Sequence, residues 1–352
     1  HSSLEIKFNN YKIVSSYFLS GPNAFGDCYV NGDVECSNLT DFFIFYLRNK
    51  ENFDKMIRFK IFKINISYIF HLFRKNTIKG AKKNIRAHYD MGNDFFEEWL
   101  DSNMQYSSAH FERDNQTLEE AQKNKFKKLE NYLSLNDGEK LLEIGCGWGT
   151  LSQYLFNNNQ IDIDAITISK EQLSFVKKLN IKDSFNNCSF DIKDYRNLFT
   201  NYNKIISIEM IEAVGEKYLP LYLRKIRECT RDDGFAIIQG ITISDKKYKE
   251  YSNQVDFIQK YIFPGGFLPS KDTLIKKAND EGLDVQIIED LNSSYVRTLR
   301  LWRERFNQKW PKIKTMGYDE KFSRIWNYYL SYCEAGFSEK SIFVSVFKLT
   351  PK

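Results

Sequence analysis

The sequence predicts an α/β fold, a mostly parallel sheet with helices on both faces, preceded by a small, mostly helical N-terminal domain. Three observations predict it. Five short apolar runs alternate with helical stretches between residues 140 and 239, the pattern of a parallel sheet assembled from strand and helix units. The first run opens into three closely spaced glycines, LLEIGCGWGT at 141–150, a turn at a strand end where backbone passes close to a ligand. The 352 residues, 42% of them hydrophobic, can bury one large core and a smaller one.

The elements follow in order. Residues 1–80 hold short segments with turn signals SGPN at 20–23 and NGD at 31–33, and are expected to form an accessory domain ahead of a larger one over 81–352. A charged helix over about 117–132 leads through a turn, NDG at 136–138, into strand candidates at 140–144, 161–166, 187–192, 204–208 and 234–239. Residues 318–332 read as a helix, and the alternating stretch 341–349 as a closing strand.

Composition narrows the function classes. No stretch reaches the roughly 20 apolar residues that span a bilayer, and the opening HSSLEIKFNN lacks the charged-then-apolar pattern of a secretory leader. A soluble, cytoplasmic protein is expected. Six cysteines without CxxC spacing and four histidines without an HExxH suggest reduced thiols and no structural metal. The net charge of +5 is unevenly placed, since residues 55–86 carry ten Lys and Arg and no acid, interleaved with Ile, Phe and Tyr. Such a segment suits contact with an anionic membrane surface, and equally an amphipathic helix with a solvated basic face. Nucleic acid is not expected, because no helix-turn-helix, zinc-finger or RNP-like pattern accompanies the charge.

The chemistry collects at the carboxyl ends of the predicted strands. Gly145, Gly147 and Gly149 form the cradle, with Glu143 just ahead of it. The next strand ends in TISKEQ at 167–172 and lacks the acid that would hold a nicotinamide ribose, which points to S-adenosylmethionine. After the fourth strand comes SIEMIEAVG at 207–215. Glu209 reads as a helix cap or a lysine partner as readily as a catalytic group, whereas Glu212, between Ile211 and Val214, is a carboxylate costly to bury without a purpose. Asp90, Asn93 and Asp94 read as turn and cap residues. PGG at 264–266 forces an irregular loop near a substrate mouth, and its apolar flanks suit a lipid chain or a plain hydrophobic lid.

The motifs AHYDMGNDFF, MQYSSAHF, LLEIGCGWG, TISKEQ, EMIEAVG and KYIFPGGFLPS, in that order, resemble those of the cyclopropane-fatty-acyl-phospholipid synthases. FGDCYVNGDVECSNLTDFF, at 25–43, resembles that family's accessory domain. The resemblance implies a Rossmann-like class I methyltransferase fold and S-adenosylmethionine-dependent addition of a methylene across a cis double bond of a phospholipid acyl chain in a membrane. It implies that Tyr106, Ser107, Gly145, Cys146, Gly147, Gly149, Thr167, Gln172, Asp194 and Tyr195 line the cofactor pocket. It also implies a bound bicarbonate ion as general base, held by side chain or backbone at Ser108, Glu212, Gln239, Ile241 and Tyr295. Peripheral association with the inner face of the membrane would follow, and a homodimer is among the expectations. Ser108 stands where the family usually has cysteine, Gln239 where it has histidine, and Ala213 where histidine often follows the glutamate. These departures bear on which proton is lost from the methylated chain, so a methylene- or methyl-branched product stands beside the cyclopropane. Aromatic faces at Tyr295, Phe263 and Phe267 are candidates to stabilise the intermediate cation. A methyltransferase for a soluble small molecule and a non-catalytic membrane-binding module are the remaining alternatives.

Overall fold

The computed structural model describes residues 4–13, 24–57, 91–179 and 187–352. The 20–23 turn, nearly all of the basic segment and the opening of the first upstream motif, including Asp90, lie outside the described residues.

Seven strands form the central sheet, and its central runs β3, β6 and β7 are apolar on both sides of the pleat. They are β3 (Lys140–Ile144), β4 (Asp162–Thr167), β5 (Cys188–Ile192), β6 (Tyr202–Ile208), β7 (Thr230–Ile243), β8 (Leu283–Asp290) and β9 (Ile342–Pro351), in the order β5-β4-β3-β6-β7-β9-β8. The first five in this order are parallel, and β9 runs antiparallel to both β7 and β8. Successive residues feed opposite cores: Leu141, Phe235 and Ile237 enter one apolar cluster, and Leu142, Ile144, Ala236 and Ile238 the other. Both faces are therefore covered. From β3 the chain moves outward through β4 on one side and returns through β6 on the other, which opens a crevice at the carboxyl ends of β3 and β6.

The helices of this unit are α3 (Asn93–Glu97), α4 (Leu118–Leu133), α5 (Thr150–Asn158), α6 (Lys170–Leu179), α7 (Leu219–Cys229), α8 (Asp245–Tyr251), α9 (Phe257–Tyr261), α10 (Lys271–Asp280), α11 (Asn292–Thr315) and α12 (Glu320–Ser338). The start of α4 is local in origin: Thr117 accepts from the Glu120 amide while the Glu120 carboxylate accepts from the Thr117 amide, a reciprocal cap.

Among the elements not expected are a strand and a helix. Strand β8 reads LDVQIIED and is mostly exposed, so its polar face hides the alternation on which strand recognition depends. Helix α11 follows directly and carries the buried Tyr295, Thr298, Trp302 and Phe306 on a largely polar sequence. Strand β7 extends to Ile243 rather than stopping near Gln239, because β9 pairs with it along that whole length.

At the N-terminal end, β1 (Ile6–Phe8) and β2 (Val34–Cys36) form an antiparallel ribbon beside α1 (Ala24–Val30) and α2 (Leu39–Ile57). Helix α2 lies on α12, with the Phe43 ring centroid 4.8 Å from Tyr328 and 5.4 Å from Tyr332. Glu334 on α12 is 1% exposed and is paired on all sides: it accepts from Thr40 at 2.9 Å, Arg300 at 2.9 Å and Arg303 at 2.7 Å. Val30, Leu39 and Phe43 belong to the same apolar cluster as Phe95 and Trp302. Among the described residues, no helix is long and apolar enough to cross a membrane.

Candidate active site

The glycine turn is the floor of the crevice. Gly145, Gly147 and Gly149 all have positive φ, which L side chains adopt at a cost. At Gly149 a Cβ would lie 2.8 Å from Phe190 and 2.9 Å from Val176, whereas at Gly147 it would meet nothing within 4 Å. Gly149 thus lets α5 close on the sheet, and Gly147 faces open space. Behind the turn, Glu143 is 3% exposed and accepts from the Ser152 hydroxyl; burial pushes its carboxyl up to about 7.

Strand ends and one strap complete the rim. At the end of β4, Thr167 donates to Gln172 at 2.8 Å and accepts from the Ser169 amide at 3.1 Å. After β5, Asp194 caps the turn Tyr195–Asn197, and its two oxygens accept from the Arg196 guanidinium at 2.8 and 2.7 Å. The strap 101–111 crosses the opening. Gln105 donates to Thr150 at 2.6 Å, Thr150 donates to the Asn103 carbonyl at 2.7 Å, and Ala109 and Phe111 donate to Thr298 and Ser294 on α11. Asn93, expected as a turn or cap residue, begins α3 and instead receives the Trp148 indole N–H at 2.8 Å. Tyr106 meets the Tyr329 hydroxyl at 2.9 Å. The Tyr295, Trp302, Tyr106 and Phe263 rings follow one another at 6.1, 5.3 and 6.5 Å, forming an apolar wall. Phe267 packs on Tyr248 and Tyr251 instead.

Beyond the carboxyl end of β6, beside β7, lies a pair of half-buried carboxylates. Glu209 has φ 48°, and its amide donates to the Gln239 carbonyl at 2.7 Å. Its Oε1 accepts from the Ser108 amide and from Gln239 Nε2, both at 2.8 Å, and its Oε2 accepts from the Tyr295 hydroxyl at 2.6 Å. Glu212 accepts from the Ile241 amide through Oε1, while its buried Oε2 has no hydrogen-bond partner among the described residues. Burial and then the neighbouring Glu209 push Glu212 up to about 8. Burial also raises Glu209, opposed by the Tyr295, Ser108 and Gln239 hydrogen bonds and by Lys125. Two carboxylates so placed cannot both ionise cheaply; the one with three donors carries the charge and the other holds the proton.

The five positions expected to hold bicarbonate are therefore brought together, but not around an open seat. Ser108, Gln239 and Tyr295 converge on Glu209, Ile241 turns to Glu212, and the Ser108 hydroxyl donates to the Ala109 carbonyl. The expectation of a bicarbonate base does not fit this arrangement, because an anion seated there would meet the Glu209 carboxylate instead of free donors.

Two polar side chains of the site were missed or undervalued. Glu209, read as a cap as readily as a catalytic group, is the centre of the cluster. Lys125 is 2% exposed and donates to Ser107 at 2.8 Å; burial lowers it to about 8 against the pull of Glu209, Asp101 and Glu143. A signal existed, since Lys125 falls on the core-facing positions of α4 with Leu118, Ala121, Gln122 and Leu129.

These carboxylates give stability a pH slope. Glu143, Glu212 and Asp256, the last raised by burial to about 6, hold protons that the unfolded chain releases near pH 4 to 4.5, roughly. Their contribution is complete below that range and is lost as pH rises toward 8. We predict that the thermal midpoint falls between acidic and mildly alkaline buffers, and that Glu212→Gln flattens the upper part of the curve. An unchanged slope in that variant would remove Glu212 as its source.

The chain is similar to known proteins in sequence and in fold. Residues 76–347 match the family described as mycolic acid cyclopropane synthetase. The chain is 36% identical over 279 residues to a tuberculostearic acid methyltransferase of Mycobacterium tuberculosis, covering 77% of this chain and 65% of that protein. It is 32% identical over 339 residues to the cyclopropane-fatty-acyl-phospholipid synthase of Escherichia coli strain K12, covering 96% and 85%. It thus spans just under two thirds of the first relative's length. A crystal structure of a mycolic acid cyclopropane synthase complexed with SAH and CTAB superposes with a TM-score of 0.70 at 29% identity, covering 76% of this chain and 97% of that one.

Proposed function

The chain belongs to the mycolic acid cyclopropane synthetase family of S-adenosylmethionine-dependent methyltransferases, and on that premise we propose that it adds a methylene across the cis double bond of an unsaturated phospholipid acyl chain. The observation that carries this reading is the half-buried pair Glu209 and Glu212, set between a glycine cradle and an aromatic wall.

When bound, S-adenosylmethionine supplies an electrophilic methyl group on a sulfonium. The residues that would hold it are Gly145, Cys146, Gly147 and Gly149 below, Thr167, Gln172, Asp194 and Tyr195 at the neighbouring strand ends, and Tyr106 and Ser107 on the strap. The open space over Gly147 fits such a group. An alkene is a feeble nucleophile, so the wall of Tyr295, Trp302, Tyr106 and Phe263 aligns the chain and excludes water. The same ring faces stabilise the cation that forms on the acyl chain. A carboxylate then accepts the proton whose departure closes the ring.

A methyl-branched product is the second reading, favoured by the 36% identity to a tuberculostearic acid methyltransferase. Methyl-deuterated S-adenosylmethionine, incubated with the full chain and vesicles of a monounsaturated phospholipid, separates the two by mass spectrometry and NMR of the released fatty acids. Two deuteriums in a ring establish the cyclopropane; three in a methyl group establish the branched product. No labelled lipid despite confirmed cofactor binding overturns both. Contact of the basic segment 55–86 with an anionic membrane surface belongs to the same reading. It requires faster labelling on anionic than on neutral vesicles, with the difference lost at high salt.

A further inference from the structure

Three hydrogen-bond donors from three distant parts of the chain, the Ser108 amide, Gln239 Nε2 and the Tyr295 hydroxyl, point at one half-buried place, and Glu209 fills it at 2.8, 2.8 and 2.6 Å. Three donors and no facing donor of its own describe a seat for an anion: a glutamine at 209 would offer one acceptor oxygen where two are used. The backbone supports the same conclusion. Glu209 sits at φ 48°, a left-handed conformation that a non-glycine residue adopts at a cost. Such strain persists where the surrounding structure over-determines it, and it clusters at functional sites. The residue lies at the carboxyl end of β6, at the crevice, one ring away from the aromatic wall through Tyr295.

We infer that Glu209 is itself the base of the reaction, a carboxylate built into the chain in the place where a dissolved bicarbonate would otherwise have to bind. The inference rests on the lipid reading proposed above. In the step it performs, an oxygen of ionised Glu209 forms a bond to a proton of the methylated acyl cation. The C–H electron pair left behind becomes the ring-closing C–C bond, or a C=C bond in a branched product. The positive charge of the chain and the negative charge of the carboxylate cancel, and the neutral carboxyl group returns its proton to water after the product leaves. Glu212, protonated and bonded to the Ile241 amide, withholds a second negative charge from the site.

The test uses the full chain, its Glu209→Gly and Glu209→Gln variants, and carbon-13 bicarbonate. Glycine is suited to a positive φ, so Glu209→Gly relieves the backbone and leaves three donors facing an empty seat. By NMR titration the unmodified protein should bind no bicarbonate and Glu209→Gly should bind one. In carbon-dioxide-free buffer the unmodified protein should keep its lipid turnover within about twofold. Glu209→Gly should lose about 100-fold and recover at least about tenfold with added bicarbonate or formate. Glu209→Gln, whose seat stays filled, should lose as much and not recover. Bicarbonate bound by the unmodified protein, turnover that collapses without it, or normal turnover in Glu209→Gln would each overturn the inference. The titration reads the seat without any lipid, so a failure of the lipid reading, seen as absent labelled product, is separable from a failure here.

Discussion

Tyr295→Phe lowers turnover on a monounsaturated phospholipid about 100-fold and leaves the affinity for S-adenosylhomocysteine unchanged. The hydroxyl that is lost donates to Glu209 at 2.6 Å, while the ring that remains keeps its place 4.6 Å from Phe337 and 6.1 Å from Trp302. The fold therefore loses one hydrogen bond to a charged group, about 1.5–3 kcal/mol, and the wall is intact. Burial already raises Glu209, and the Tyr295 bond opposes that rise. Without it the carboxylate ionises at still higher pH, so the limb of the turnover profile that reports the base moves upward and the deficit shrinks as pH increases. A uniform loss at every pH would mean that Tyr295 acts on the acyl chain alone.

Gly147→Ala and Gly149→Ala, two residues apart in one loop, have opposite consequences. A Cβ at 147 enters space with nothing within 4 Å, whereas at 149 it meets Phe190 at 2.8 Å and Val176 at 2.9 Å. Both carry the strain of a left-handed alanine, about 1–2 kcal/mol. Gly149→Ala adds the cost of forcing core side chains aside, about 1–3 kcal/mol, and shows a clearly lower thermal midpoint. Gly147→Ala keeps most of its stability and loses cofactor affinity at least tenfold, because the methyl group stands where the ligand approaches. Calorimetric titration with S-adenosylhomocysteine beside thermal denaturation separates the two. Unimpaired binding in Gly147→Ala would show that the cofactor lies elsewhere.

The sequence by itself determined what is local. The apolar runs of β3 to β6 lie within two residues of their expected places, and the glycine turn sits where the strand pattern put it. The Thr117 cap starts α4 one residue beyond its signal. These features depend on neighbours a few positions away, and backbone preference and burial periodicity carry them. The sheet edge escaped, because β8 is mostly exposed and charged, and α11 escaped because its buried residues sit in a polar sequence.

The chemistry of the site was decided by tertiary structure. Whether Glu209 caps a helix or gathers donors depends on Ser108, Gln239 and Tyr295, which stand 101, 30 and 86 positions away. The motif EMIEAVG named both carboxylates, but not which one holds the charge and which the proton. That division follows from burial together with the number of donors each carboxylate meets, and only the folded chain assembles those donors.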